Sequence, residues 1–228
     1  MSKFSWGWGH SFKNYLLMFD LQDNELQEPI LDVAAGASSF NAEMHGRGYY
    51  VVSADPLYAL SMPDLKLKID RMGQTLRQWI EQHKAQFLLR DKAAFEDLIA
   101  KQKAMANIFI QDFQEGVYAK RYVADPLPNL SFSHAQYALA LCANFLFDGP
   151  YAKDMDFQLK AILEMCRVAR EVRIFPLLDD SGEVSQHVAP LMAVLQSKNY
   201  GVEIREVPFH LQKNGNAMLR VWSNECQL

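Results

Sequence analysis

Two acidic residues stand at matched places in this chain. Asp32 lies in the apolar run Ile30-Leu31-Asp32-Val33-Ala34, ahead of the small-residue segment Ala35-Gly36-Ala37-Ser38-Ser39. Asp55 ends a second apolar, β-rich run, Tyr49 to Ala54, 23 positions beyond Asp32 (55 − 32). In an open parallel sheet, ligands gather beyond the carboxyl ends of the strands, where such loops and strand ends meet. A carboxylate ending the second strand can accept hydrogen bonds from both hydroxyls of a ribose. Small side chains let a ligand lie against the loop backbone, and Gly36 can take a conformation closed to other residues. The helix expected from Phe40 offers unpaired N–H groups and a positive dipole end to a carboxylate or phosphate. Together these features point to a nucleoside-containing ligand.

The loop also discriminates between nucleosides. A dinucleotide site uses G-x-G-x-x-G so that a diphosphate can press onto the backbone. Here one glycine is present, and Asp32 on the approach would repel a diphosphate. The same carboxylate suits a ligand carrying an ammonium and a sulfonium, which favours S-adenosylmethionine over NAD.

These residues resemble a known family. Ile30 to Phe40 is similar to motif I of class I S-adenosylmethionine-dependent methyltransferases. More narrowly, it resembles a bacterial group whose loop reads roughly L-D-x-x-x-G-x-S-S-F. Ser53 to Tyr58, Ala124 to Phe132, Leu139 to Phe147, Arg167 to Leu177 and Gly9-His10-Ser11-Phe12 extend the resemblance over most of the chain, least between Asp64 and Asn107. The resemblance implies that Asp32 and the backbone of Ala34, Ala35 and Gly36 hold the methionine end of the cofactor. It implies Asp55 at the ribose, Pro56 and Leu57 against the adenine, and Asp125 or its backbone at the adenine edge. Cys142 to Asn144 would lie by the sulfonium and the acceptor. The glycine that commonly precedes Gly36 is Ala35 here, which tightens the loop. The resemblance leaves the acceptor open and assigns no catalytic residue. His10 and His210 are candidate bases, and Tyr15 and Asn144 candidate orienters.

The elements that must position these groups follow from periodicity. Ser11 is placed to cap a helix running through Tyr15, Met18 and Phe19. Ile30 to Asp55 reads as strand, loop, helix and strand, a βαβ unit with buried parallel strands. Leu65 to Gln114 is mostly helical and reads as two or three helices. Further strands are expected at Arg121–Ala124, Tyr137–Cys142, Glu171–Phe175, Val202–Val207 and Met218–Trp222, with helices at Asp156–Cys166 and Ser185–Gln196. Asn214-Gly215 is a hairpin signal between the last two strands. The expected fold is one α/β domain over residues 1–228: a Rossmann-like, doubly wound, mainly parallel sheet ending in an antiparallel hairpin. Residues 1–24 form an N-terminal arm and helix, and residues 64–112 a helical insertion or cap.

Composition narrows the classes. Half of the 228 residues are apolar, 22% are charged and the net charge is −4, with no basic block of the kind a nucleic-acid groove needs. No apolar run approaches the roughly 20 residues that span a bilayer. Cys142, Cys166 and Cys226 form no metal-ligand or disulfide pattern, which suits reduced thiols in a cytoplasm. The expected activity is methyl transfer to a small molecule, as a monomer or homodimer, with no metal, nucleic acid or membrane. The alternatives are a non-catalytic S-adenosylmethionine-binding module or sensor, and an NAD-dependent oxidoreductase.

Overall fold

The apolar runs become the centre of one sheet. The computed structural model describes residues 9–224, so Trp6, Trp8 and Cys226 lie outside the described residues. Its strands are β1 (Ile30–Val33), β2 (Val51–Ala54), β3 (Tyr122–Val123), β4 (Tyr137–Ala143), β5 (Ala169–Phe175), β6 (Tyr200–Glu206) and β7 (Ala217–Ser223). They lie in the order β3-β2-β1-β4-β5-β7-β6. β1 pairs parallel with β2 and β4, and β7 pairs antiparallel with β5 and β6. Only β7 is reversed; β6 runs with the parallel strands. This is the doubly wound, mainly parallel sheet expected from the sequence, and its order reverses between β1 and β4, the crevice where such sheets bind ligands.

Side-chain parity decides which layer each residue meets. Leu31 and Val33 face α5 (Met155–Val168) and α6 (Val188–Ser197), in a cluster with Ala161, Ile162 and Leu191. Ile30 faces the other layer, α1 (Phe12–Met18) and α2 (Phe40–His45), with Tyr15, Phe40 and Met44. Asp32 shares the parity of Ile30 and so points under α1. Ser11 caps α1: its hydroxyl accepts from the Asn14 N–H and the Asn14 carboxamide accepts from the Ser11 N–H.

The long helical stretch is α3 (Met62–Gln82) and α4 (Lys92–Tyr118), started by Ser61 and Asp91, whose side chains accept first-turn N–H groups. α4 returns the chain to β3 by packing on Tyr122. Its Gly116 lies so close that an added Cβ would overlap the Tyr122 ring, which Asp112 holds by accepting from its hydroxyl at 2.7 Å. Gly116→Ala therefore lowers stability by about 1–3 kcal/mol through overpacking, although alanine is the better helix former. The denaturant midpoint measures this; an unchanged or higher midpoint would show that the ring yields freely.

β6 and β7 form the expected antiparallel hairpin. Its connection spans residues 207–216, where Gln212 pairs with Phe87 of the α3–α4 connection and the Gly215 N–H turns back to the Gln212 carbonyl. One expectation is corrected: β4 continues through Ala143, so Cys142 lies inside the strand and not after it. Its thiol is buried in the α5/α6 core, and burial pushes its pKa up, beyond any nucleophilic use at neutral pH.

Among the described residues no helix is long and apolar enough to cross a membrane. No group of three or more His, Cys, Asp or Glu side chains among them converges as metal ligands.

Candidate functional site

β1 delivers the chain to the crevice and then turns sharply. Ala34 and Gly36 both have positive φ, 54° and 56°, a strained choice for the alanine and an easy one for the glycine. The turn is fixed because the Ala34 N–H donates to the Ala54 carbonyl at 2.8 Å, tying it to the end of β2. The residue after β2, Asp55, reaches back. Its Oδ2 accepts from the Gly36 N–H at 3.0 Å and its Oδ1 from the Leu57 N–H at 2.7 Å. Tyr58 donates to the Gly36 carbonyl at 2.9 Å from the other side. The loop and the acid are thus one hydrogen bond apart. Burial pushes the Asp55 pKa up, opposed by the two N–H groups that favour its charged form.

Asp32 is wholly buried beneath this loop. Oδ1 accepts from the Tyr15 hydroxyl at 2.8 Å and Oδ2 from Ser53 at 3.3 Å. Burial raises its pKa to about 7, against the pull of those two hydroxyls. Tyr15, stacked on Phe40 with ring centres 4.0 Å apart, has its own pKa raised by burial and by Asp32, so it stays a donor.

The N-terminal arm lies across the same crevice. Ser38 donates to the His10 carbonyl at 2.6 Å, Glu43 accepts from the Phe12 N–H at 3.1 Å, and Gly9 sits where a Cβ would come within 2.8 Å of the Ala37 carbonyl. The His10 ring meets Asn144 beyond β4, with Nε2 2.6 Å from the carboxamide nitrogen. That nitrogen can only donate, so His10 is neutral and accepts there. Burial pulls its pKa down to about 4, consistent with the neutral form. Asn144 has φ 49°, and its N–H donates to the Phe175 carbonyl at 2.7 Å.

The structure therefore brings together Asp32, Ala34, Ala35, Gly36, Asp55, Asn144, Tyr15 and His10. Pro56 is exposed on the rim, and Leu57 packs partly against Tyr58 and Phe109. Asp125 is engaged in its own loop, where Oδ2 accepts from the N–H and hydroxyl of Ser131 at 2.7 and 2.6 Å. His210 is exposed on the β6–β7 connection, outside this cluster. Sequence reasoning missed the roles of Ser53, Tyr58 and Ser38. Of these, only Tyr58 carried a local signal, an aromatic three residues past Asp55. A cavity of about 360 Å³ lies near Ala138, Leu139, Arg170 and Glu171, at the amino ends of β4 and β5. It is at the wrong end of the sheet for the strand-end chemistry above.

No family model matches the chain. An uncharacterized protein of the archaeon Methanocaldococcus jannaschii is 29% identical over 215 residues, covering 92% of this chain and 93% of its own. Among solved structures, the chain is similar to magnesium protoporphyrin IX methyltransferase of Synechocystis with bound SAM. That match has a TM-score of 0.49 and 11% identity, and covers 93% of this chain and 76% of that one. It is also similar to the 1,6-didemethyltoxoflavin-N1-methyltransferase of Burkholderia thailandensis, with a TM-score of 0.45 and 13% identity, over 92% and 76% of the two chains.

Proposed function

We propose that this chain is an S-adenosylmethionine-dependent methyltransferase acting on a small-molecule acceptor in the cytoplasm. The observation that carries the reading is the 3.0 Å bond between the Gly36 N–H and Asp55, because one adenosyl ligand can then touch both. The residues present fit such a ligand. Nothing lies within 4 Å of a Cβ built on Gly36, so the loop backbone is open to close approach. Asp55 uses one site on each oxygen for backbone N–H groups, and a carboxylate has about four, so acceptor sites are left for two ribose hydroxyls.

In this reading Asp55 takes the ribose, Pro56 and Leu57 flank the adenine, and Asp125 offers its backbone to the adenine edge. The backbone from Ala34 to Gly36 receives the aminoacyl end. Asp32, through its charge beneath the loop, favours a cationic ligand over a diphosphate, which weighs against NAD. When bound, S-adenosylmethionine supplies a methyl group already activated on a sulfonium. The protein's contribution is then chiefly alignment. Asn144 and His10 would border the reacting groups. The lone pair on His10 Nε2 is committed to Asn144, so the site favours acceptors that need no strong base. That same commitment is the one observation that keeps a non-catalytic binding module in view.

Thermal shift with S-adenosylmethionine, S-adenosylhomocysteine and NAD tests the reading, since a ligand of the native state raises Tm by mass action. Both sulfur ligands should raise it and NAD should not; the reverse pattern would sink the proposal. Transfer of label from the cofactor to small molecules of a cell extract separates the enzyme from the module. Asp55→Ala is expected to weaken S-adenosylhomocysteine binding by about 1–3 kcal/mol. Calorimetry on a folded variant checks it, and an unaltered Kd would remove Asp55 from the site.

A further inference from the structure

Helices α3 and α4 hold between them a cavity of about 340 Å³ that reaches Gly9 and Ala37, the residue after Gly36. On one side of it the helices close through Leu65, Phe109 and Phe113, on the other through Ile80 and Phe95. Between these clusters they stay apart and leave a pocket that opens to solvent, with Gly73, Gln74 and Asn107 exposed along it. Small residues maintain the gap: Gly73 on α3, Ala106 on α4, and Gly9 and Ala37 at its end. Gly73 is the informative one. A glycine inside a helix is destabilising relative to alanine, and for Gly116 the Tyr122 ring explains it. Gly73 has nothing within 4 Å of a built Cβ, so packing does not demand it. Exposed along the pocket, the glycine leaves room that a larger side chain would fill.

We propose that this cavity is the acceptor site and takes a flat, neutral heteroaromatic molecule, on the order of 20 non-hydrogen atoms; its role as acceptor site rests on the methyltransferase reading. The walls from Ile69, Leu76, Ile99 and Ile110 are apolar and suit the faces of a ring system. Gln74, Gln102 and Asn107 supply carboxamides, each both donor and acceptor, which match the mixed edge of a heterocycle. Gln102 Oε1 accepts from the Gly9 N–H at 3.0 Å, so its NH₂ group is the part left to donate. The charges on the rim balance. Arg77 is paired with Glu96 at 2.6 Å, and Asp70 and Lys103 have opposite signs, so a net charge on the ligand gains little.

Lumichrome, a flat neutral tricycle with donors and acceptors on its edge, is the probe. Fluorescence titration of the full chain should show saturable one-to-one binding. Gly73→Leu should weaken it at least tenfold, while keeping a Tm at or above that of the native protein and the same shift with S-adenosylhomocysteine. Gly73→Ala, which only narrows the slot, should raise Tm and weaken lumichrome several-fold, and it serves if the leucine variant does not fold. Equal lumichrome binding by native and variant proteins, or no saturable binding at all, overturns the proposal. Displacement of lumichrome by the anionic 8-anilinonaphthalene-1-sulfonate overturns the neutral class. Lumichrome binding without any response to S-adenosylhomocysteine would keep the cavity as a ligand site and sink the methyltransferase reading. The converse would sink the cavity alone.

Discussion

Asp32→Asn is expected to make the protein more stable at pH 8, by roughly 2–4 kcal/mol, and to weaken its hold on S-adenosylmethionine. In the unfolded chain this carboxyl ionises at its ordinary value of 3.8, whereas in the folded protein burial delays ionisation to about 7. Between those values the native state carries a proton that the unfolded state has lost, so stability falls as pH rises through the window. Above about pH 7 the full penalty of a buried charge is present. Asparagine never ionises and escapes it. Its carbonyl can still accept from Tyr15, and its NH₂ can donate to the Ser53 hydroxyl, which already accepts from Asn41 at 3.1 Å. The advantage of the variant should therefore vanish near pH 4 and be complete by pH 8. Urea melts at both values measure it; the same difference at each would show that ionisation is not the cause. A buried carboxylate that costs stability while accepting from two hydroxyls marks a functional group more than a structural one. A cationic ligand close to Asp32 would lower its pKa again, so S-adenosylmethionine binding near pH 6.5 should release protons. Asp32→Asn should abolish that release, and unchanged affinity in the variant would remove Asp32 from the cofactor's surroundings.

How far the sequence disclosed this arrangement depended on the range of the forces involved. β1, β2 and β4 were legible because strands buried on both faces must be apolar runs, and Asp32 within one run and Asp55 at the end of another stood out as charges. The pairing of Gly36 with Asp55 followed from topology, since adjacent parallel strands end side by side. The partners of Asp32 were not legible: Tyr15 and Ser53 are 17 and 21 positions away, one on a helix and one on the neighbouring strand, and no local period ties either hydroxyl to the carboxylate. The same holds for Arg121, which donates to Asn41 at 2.6 Å across 80 positions while pairing with Asp112 at 2.7 Å. Asn214-Gly215 announced the antiparallel pair β6–β7 but not the length of its connection, because turn chemistry is local while Gln212 pairs with Phe87 far back in the chain. Cys142 misled because a strand apolar on both faces does not announce where it ends.

Arg173→Met should cost about 3–5 kcal/mol, the range for breaking a buried ion network by removing one member. Arg173 stands in the same row of the sheet as Leu141 and Asp32, by the registers of β5 with β4 and β4 with β1. Its guanidinium is 3% exposed and donates to Glu171 at 2.6 Å, to the Phe19 carbonyl at 2.8 Å and to both oxygens of Glu25. Arg220, opposite it on β7, donates to both oxygens of Glu171 and to Glu203 at 2.7 Å. Burial alone would push the Glu171 pKa up, and the two guanidinium groups hold it below the usual carboxylate range. Methionine fills the volume but leaves the half-buried Glu25 carboxylate, the Phe19 carbonyl and part of Glu171 without their donor, and unpaired groups removed from water carry a desolvation cost. Glu25→Leu added to Arg173→Met removes one stranded charge and should recover part of the loss, so the two changes will not add. The Phe19 carbonyl closes α1, the helix whose Tyr15 donates to Asp32, so the network also anchors the far end of the element that reaches under the Gly36 loop. Arg173→Met should therefore weaken S-adenosylhomocysteine binding in the fraction that remains folded, although Arg173 itself bonds to Glu171, Glu25 and the Phe19 carbonyl and not to the loop. Calorimetry at a temperature well below the variant's Tm separates the two effects. Native affinity there would confine Arg173 to stability and break the link from α1 to the site.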